Sequence, residues 1–416
     1  MLFSDSKRKA FFIFAILSLL LFKLYKLKDV TKLKNGYAFK SNQFTENEVP
    51  IIRINNLQNN KVIIDKKICY PNEFLENNKQ YEVKMGDILI SMSGSIGKIS
   101  RYSYTEPSLL NQRVGKFEIT EVNKLDREYL FYFLRSDEFQ RAVIKDANGC
   151  VVSNISAKNI SDCSIPVPSL EAQKKIVKVL KKAEDVVEKR KQAINLLDEL
   201  VKSQFIEMFG DPKDNNKRWE IKKLGDIYKV GSSKRIYQRE QTSSGIPFLR
   251  ISDLVKRIET GNNSCELYIS EEQYNSFKAK MLVPLENDIL VTSRGTLGLC
   301  YIVKEKDKFY FQDGMISWLK QIDVDVDPIY ITTLFSMNGF RKQIDEIPTG
   351  TTVNYLSIAR LANLEVMYPN IKLQNEFSNF VKQVEKLKFK MEQSLKGLEN
   401  NFNSLMKDSF SGNLSL

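Results

Sequence analysis

The chain repeats itself at roughly half its own length, and that repetition limits its folds more than any other feature. Lys26-Leu27-Lys28-Asp29-Val30 returns as Lys223-Leu224-Gly225-Asp226-Ile227, and Val49-Pro50-Ile51-Ile52-Arg53-Ile54 returns as Ile246-Pro247-Phe248-Leu249-Arg250-Ile251. Both pairs lie 197 positions apart (26 to 223, 49 to 246). Gly86-Asp87-Ile88-Leu89-Ile90-Ser91 then meets Asn287-Asp288-Ile289-Leu290-Val291-Thr292, and Ser93-Gly94-Ser95-Ile96-Gly97 meets Arg294-Gly295-Thr296-Leu297-Gly298, at an offset of 201 (93 to 294). Pro168 and Gln173 find Pro369 and Gln374 at the same 201. A period this long is a duplicated domain, not a solenoid repeat. A duplicated domain suits a pseudo-symmetric target.

With 416 residues, each copy is large enough to bury its own core. Lys and Arg total 63 against 51 acidic residues, and the net charge of +12 favours a polyanionic partner such as nucleic acid. There is no histidine, which removes the commonest general base and every Ser-His or Cys-His nucleophile. Cys69, Cys150, Cys163, Cys265 and Cys300 are odd in number with no C-x-x-C pair. They indicate neither a disulfide framework nor a zinc ribbon, and fit a reducing, cytoplasmic setting.

Residues 1–24 stand outside the repeat. Phe11 to Phe22 is an apolar run behind Lys7-Arg8-Lys9, too short for a comfortable membrane span and without a small-x-small cleavage site. It reads as an appended extension, with membrane association through residues 11–22 as the functional alternative.

From 25 to 168, short β-rich stretches alternate with turn signals: Gly86-Asp87 before Ile88-Leu89-Ile90, and Asn148-Gly149 before Cys150-Val151-Val152. A helical patch at Leu130 to Leu134 with Phe139 lies between them, and Tyr102, Tyr104, Tyr132 and Phe139 read as core. The expectation is a mixed α+β domain over 25–168, with its copy over 219–369. After Ser169, an N-cap residue, Ile176, Leu180, Ala183, Val187, Ile194, Leu197, Val201 and Phe205 recur at steps of three, four or seven. Phe209-Gly210-Asp211-Pro212 stops that helix, expected at 169–210 and followed by a linker at 211–218. A second helix is expected at 370–410, ahead of a tail at 411–416, with Phe377, Val381, Val384, Leu387, Met391, Leu395, Leu398, Phe402 and Leu405 in the same rhythm. A helix of this length, roughly 55 Å at 1.5 Å per residue, needs a partner along its one apolar stripe. The other copy's helix is the economical partner, and an antiparallel pair would place one domain at each end, as two-fold proteins meet separated half-sites on a duplex.

Catalytic patterns are weak. Gly94-Ser95-Ile96-Gly97-Lys98 lacks phosphate-loop spacing and reads as a tight turn, and Asp65 with Glu82 and Lys84 forms only a chance-level acidic-acidic-lysine triple. Neither an amino-methyltransferase tetrapeptide nor a G-x-G-x-x-G fingerprint occurs. Base reading needs Arg for guanine and Asn or Gln for adenine. The candidates sit on loops of the repeat: Arg53, Asn55 and Asn56 against Arg250, Ser252 and Asp253, and Ser93, Ser95 and Lys98 against Arg294, Thr296 and no lysine. Asn111, Gln112 and Arg113 are matched with Phe311, Gln312 and Asp313. The copies share scaffold residues and differ in polar ones, as expected if each reads a different sequence.

The order of these segments resembles the specificity subunit of type I restriction-modification systems. The resemblance rests on Ile165-Pro166-Val167-Pro168-Ser169-Leu170-Glu171-Ala172-Gln173, a helix ending Phe205-Ile206-Glu207-Met208-Phe209-Gly210-Asp211-Pro212, a second domain from Trp219-Glu220-Ile221, and a final helix. It implies two target-recognition domains separated by an antiparallel coiled coil, each reading half of a bipartite site on double-stranded DNA. It also implies two methyltransferase subunits docked on the helices and two restriction subunits completing the complex. Ile176, Leu180, Val187, Ile194, Leu197, Val384, Leu387, Met391, Leu398 and Phe402 would then serve helix pairing and docking. The resemblance further implies no catalytic centre, metal or cofactor in this chain, with S-adenosylmethionine, ATP and Mg expected only in the partner subunits. Residues 1–24 depart from the family pattern, and the second copy lacks the Glu that precedes the Gln in the first, which argues against a partner contact at that edge. Two other readings compete: a membrane-tethered coiled-coil adaptor, which membrane fractionation separates, and a fused nuclease-methyltransferase, which requires catalytic motifs the chain lacks.

Overall fold

The computed structural model describes residues 23–58, 60–147, 154–322, 325–346 and 355–411. The apolar run at 11–22, the turn and strand expected from Asn148 to Val152 with Cys150, and residues 412–416 lie outside the described residues. The chain divides into two units, 1–190 with 394–416 and 191–393. Each holds one α+β domain with one end of each long helix.

Both domains begin the same way. Strand Lys23–Lys26 pairs antiparallel with Ser164–Val167, and Glu220–Lys223 pairs likewise with Glu365–Tyr368. Lys23 and Leu24, placed by sequence in the extension, belong to this first strand. A helical turn follows, Leu27–Val30 or Leu224–Ile227, and an aspartate fixes each. Asp29 Oδ2 accepts the Lys26 amide at 2.9 Å and Asp226 Oδ2 the Lys223 amide at 3.2 Å, satisfying a helix-start donor. The apolar members, Leu27, Val30, Leu224 and Ile227, are fully buried.

The central sheet of the first unit runs Thr31–Asn35, Val114–Ile119, Ile88–Ser91, Ile99–Arg101, Asn60–Val62, Leu57–Gln58. In the second it runs Tyr228–Gly231, Ile316–Gln321, Ile289–Thr292, Cys300–Ile302. A smaller sheet contains a parallel pair in both units, Val49–Ile52 with Ser108–Leu110 and Ile246–Leu249 with Tyr310–Phe311. The copies part company just after that strand. The first makes a tight turn at Ile54–Asn56 and the hairpin Leu57–Gln58 with Asn60–Val62, whereas the second makes helix Ile251–Thr260, closed by Gly261 at φ +66°.

The long helices run Leu170–Phe209 and Ile371–Ser411. Ser169 Oγ accepts the Ala172 amide at 3.3 Å and Asn370 Oδ1 the Leu373 amide at 2.9 Å, so each has a side-chain N-cap. Gly210, at φ +83°, ends the first, and a β-carbon there would collide with Asn216. In the first unit Ile176 and Leu180 share a core with Met406 and Phe410, so the start of one helix lies against the end of the other. In the second unit Lys388 Nζ meets Asp198 Oδ1 at 2.6 Å, while Phe205 and Phe209 stack edgewise on Phe377 at 5.5 and 5.4 Å. Moving forward along one helix means moving backward along the other: within each unit the pairing is antiparallel. Of the stripe residues, Ile176, Leu180, Ile194 and Val384 are buried, and Val187, Leu197, Met391, Leu398 and Phe402 half-buried. Leu387 is the exception at 49% exposed.

A buried glutamine joins each helix to its domain. Gln173 Oε1 accepts the Asp126 amide at 2.7 Å, and its Nε2 donates to the carbonyls of Lys124 (2.7 Å) and Pro168 (2.8 Å). Gln374 does the same with the Asp327 amide (2.9 Å), the Asp325 carbonyl (3.3 Å) and the Pro369 carbonyl (2.8 Å). Both side chains are wholly buried, and these bonds satisfy their amide groups there.

Candidate nucleic-acid interface

The glycine turns following the central strands Ile88–Ser91 and Ile289–Thr292 are built alike. Gly94 and Gly97 stand at φ +67° and +80°, Gly295 and Gly298 at +67° and +73°, a region that a residue with a β-carbon enters only with strain. Beneath each turn one hydroxyl makes two bonds. Ser91 Oγ donates to the Ser95 carbonyl (2.5 Å) and accepts the Lys98 amide (2.9 Å), and Thr292 Oγ1 does so with Thr296 (2.5 Å) and Leu299 (2.9 Å). A helix braces each turn from the side: Gln140 Nε2 donates to the Gly97 carbonyl at 2.9 Å, and Arg341 Nη1 to the Leu297 carbonyl at 2.7 Å. Gly94-Ser95-Ile96-Gly97-Lys98 is thus a rigid turn presenting its outer side chains.

Those outer side chains differ between the copies and are largely uncommitted. Ser93 borders an open cleft together with Ile54, Met92, Gly94, Gln112, Arg113, Asn154 and Ile155. The Ser93 hydroxyl is buried and has no hydrogen-bond partner among the described residues. Gln112, Arg113 and Asn154 are exposed, and among the described residues their side chains make no hydrogen bond or ion pair. Ser95 and Lys98 are exposed on the same turn. In the second unit, Arg294 and Thr296 are exposed, and the Arg294 guanidinium lies 5.1 Å from the centre of the Tyr355 ring.

Other candidates are engaged inside the protein. Arg250 donates from Nε to Asp253 (3.2 Å) and from Nη2 to Glu266 (2.9 Å), and these bonds, Asp253 first, raise the guanidinium further above its ordinary pKa. Arg53 faces Asp65 at 3.9 Å. Asn56 and Asp253 are structural twins, accepting the Arg53 and Arg250 amides, each at 2.9 Å. Gln312 accepts the Ile251 amide at 3.4 Å. Asn55 and Ser252 are exposed beside these caps.

The backbone register corrects one pairing of the copies. The Asn111 amide donates to the Ile52 carbonyl and the Gln312 amide to the Leu249 carbonyl, so Asn111 corresponds to Gln312 and not to Phe311. Met92 then bonds Arg113 where Ser293 bonds Met315, so the second loop holds one residue more, at 313–315 against 112–113. Short identical stretches could not reveal an insertion inside a loop whose residues have diverged.

Asn154 and Tyr355 were not singled out on sequence. Asn154 pairs with Ser93 in an isolated antiparallel bridge, and Tyr355 with Arg294 in another. They lie 201 positions apart (154 to 355), so extending the repeat offset would have found them.

Comparison with known proteins bears directly on this duplicated architecture. The family model for the type I restriction modification DNA specificity domain matches residues 21–198 and again 216–400. The chain belongs to this family. It is a specificity subunit with two recognition domains, non-catalytic in role. It is 33% identical to the type I restriction enzyme MjaVIII specificity subunit of Methanocaldococcus jannaschii over 41% of either chain. It is 25% identical to the MjaIX specificity subunit of the same organism over 86% of this chain and 85% of the relative. With the Escherichia coli EcoBI specificity subunit, identity is 24% over 94% and 85% of the two. A chain from a solved type I R-M system structure superposes with a TM-score of 0.56 at 15% identity, covering 94% of this chain and 98% of that one, a likeness of fold. No helix among the described residues is long and apolar enough to cross a membrane.

Proposed function

We propose that each recognition domain reads one half of a bipartite DNA target, and that the long helices seat two methyltransferase subunits of a restriction and adenine-methylation complex completed by two restriction subunits. The observation that carries this reading is the turn after the central strand: one scaffold, built twice, presents different free side chains. Ser95 and Lys98, with Gln112 and Arg113 on the loop beside the turn, occupy one copy and Arg294 and Thr296 the other, as two readers of different half-sites require. The excess of Lys and Arg supplies the phosphate attraction that holds a duplex without reading it. Val179, Val186, Leu196 and Leu200 leave apolar surface exposed on the first long helix, consistent with a protein seated there.

The test is a methylation profile of DNA from cells expressing this chain with a cognate methyltransferase subunit, against cells lacking only this chain. A bipartite motif with a fixed non-specific gap, present only when the chain is present, is the expected result. Its absence, with the methyltransferase assembled and loaded with S-adenosylmethionine, would refute the reading.

A further inference from the structure

The bridge that closes each glycine turn joins the turn to a segment more than fifty residues away in sequence, and it holds one variable residue against another. In the first unit Ser93 pairs with Asn154; in the second Arg294 pairs with Tyr355. The surroundings are the same to the level of single bonds. Ile155 donates its amide to the Met92 carbonyl and Leu356 to the Ser293 carbonyl, which fixes both partners one residue beyond the central strand. Ile155 and Leu356 are buried, so neither segment can slide. Only the side chains at the bridge change.

We infer that this bridge position is a determinant of half-site specificity, with Asn154 reading an adenine in the first half-site. The inference rests on the recognition role proposed above and names a residue for it. Asn154 has what a base reader needs: it is exposed, lines the cleft with Gln112 and Arg113, and makes no side-chain hydrogen bond within the described protein. A carboxamide offers one donor and one acceptor side by side, matching N6 and N7 of adenine in the major groove and no other base edge as well. In the second unit Tyr355 lies against the Arg294 guanidinium, so there the bridge residue acts as a positioning residue and the turn residue as the reader. One backbone device thus delivers an amide in one domain and an oriented guanidinium in the other.

The experiment compares wild type, Asn154→Ala and Asn154→Gln as full-length chains assembled with the methyltransferase subunit. Binding is measured on duplexes carrying the wild-type motif and every single base-pair change in it. With wild type, changing the adenine read by Asn154 weakens binding about tenfold or more, the discrimination expected of a bidentate pair. With Asn154→Ala the cognate duplex weakens by a similar factor and this one position becomes indifferent, while the other half-site keeps its full discrimination; Asn154→Gln retains part of the preference. Unchanged discrimination at every position in Asn154→Ala, or equal loss in both half-sites, would overturn the inference. A wild-type chain that gives no bipartite motif would instead sink the recognition role itself. Because Asn154 is exposed and its side chain bonds to none of the described residues, a folding defect is not expected; hydrogen exchange at the buried amides of Ile88–Ser91 checks it on the same samples. If those amides lose protection, the side chain is structural and the inference falls.

Discussion

The two units attach their recognition domains to the long helices with the same central bonds and different flanks. In both, a buried glutamine ties the helix start to the domain, and a buried tyrosine spans to the closing strand: Tyr129 to the Pro166 carbonyl at 2.7 Å, Tyr330 to the Met367 carbonyl at 3.0 Å. Beside this shared joint the first unit adds a charged cluster. Arg135 Nη2 meets Glu184 Oε1 at 2.6 Å, Tyr132 donates to Glu184 Oε2 at 2.7 Å, and Arg101 meets Glu128 at 2.7 Å. The Phe131 ring carries both guanidinium groups, at 4.2 Å for Arg101 and 4.9 Å for Arg135. At the equivalent places the second unit has Ile302, Ile329, Thr332, Thr333 and Ser336, and Ile302 and Ile329 pack into its main core. Duplication has kept the bonds that set the position of the joint and exchanged the contacts that merely fill its side. A cation-aromatic stack and an aliphatic contact do the same mechanical work there, because each needs only to exclude water between a helix and a sheet.

The sharpest way to break this comparison is at the glutamines. Gln173→Ala strands the Asp126 amide and the carbonyls of Lys124 and Pro168, and is expected to cost about 3 kcal/mol, since each buried group left unpaired costs on the order of 1 kcal/mol or more. Gln374→Ala should match it in the other unit, with hydrogen exchange localising each loss. A loss below 1 kcal/mol in either variant would mean that the joint is not what holds the helix.

The flank predicts an asymmetry. Glu184→Ala removes the partner of both Arg135 and Tyr132 in a largely shielded site and should destabilise the first unit by about 2 kcal/mol. Its counterpart Glu385 is exposed, so Glu385→Ala should stay within about 0.5 kcal/mol. Equal effects in chemical denaturation would erase the distinction between the units.

Recognition should divide along the same line. Arg113→Ala is expected to weaken only first-half-site discrimination, and Arg294→Ala only the second, each by about 1–3 kcal/mol. Scrambling either half-site with equal consequence in the Arg294 variant would show that the guanidinium is not a reader. The smallest expected effect belongs to Lys98, an exposed cation whose counterpart is Leu299. Lys98→Ala should leave base preference alone and reduce the salt dependence of binding by about one phosphate contact. A changed motif would instead make Lys98 a base reader.

Much of this architecture is legible in the amino-acid sequence. The repeat offsets located both domains, and the stripe through Ile176, Leu180 and Ile194 marked a long helix that buries one face. Glycine turns were legible because a left-handed backbone leaves glycine in the sequence. Leu387 shares the rhythm of Val384 and Val381 yet is exposed where they are buried, a difference that periodicity alone does not record. Among the candidate readers, sequence could not separate Arg113 from Arg250: both are arginines on loops, and only the tertiary structure reveals that Asp253 and Glu266 hold one of them.

The amino-acid sequence by itself determined the duplication, the α+β character of each copy and the two long helices, because periodicity and turn chemistry are local and act wherever they are written. Tertiary structure alone decided which polar side chains remain free, where a loop had gained a residue, and that Asn154 stands beside Ser93. Those facts depend on contacts between segments distant along the chain, and no local pattern records the partner a side chain will find.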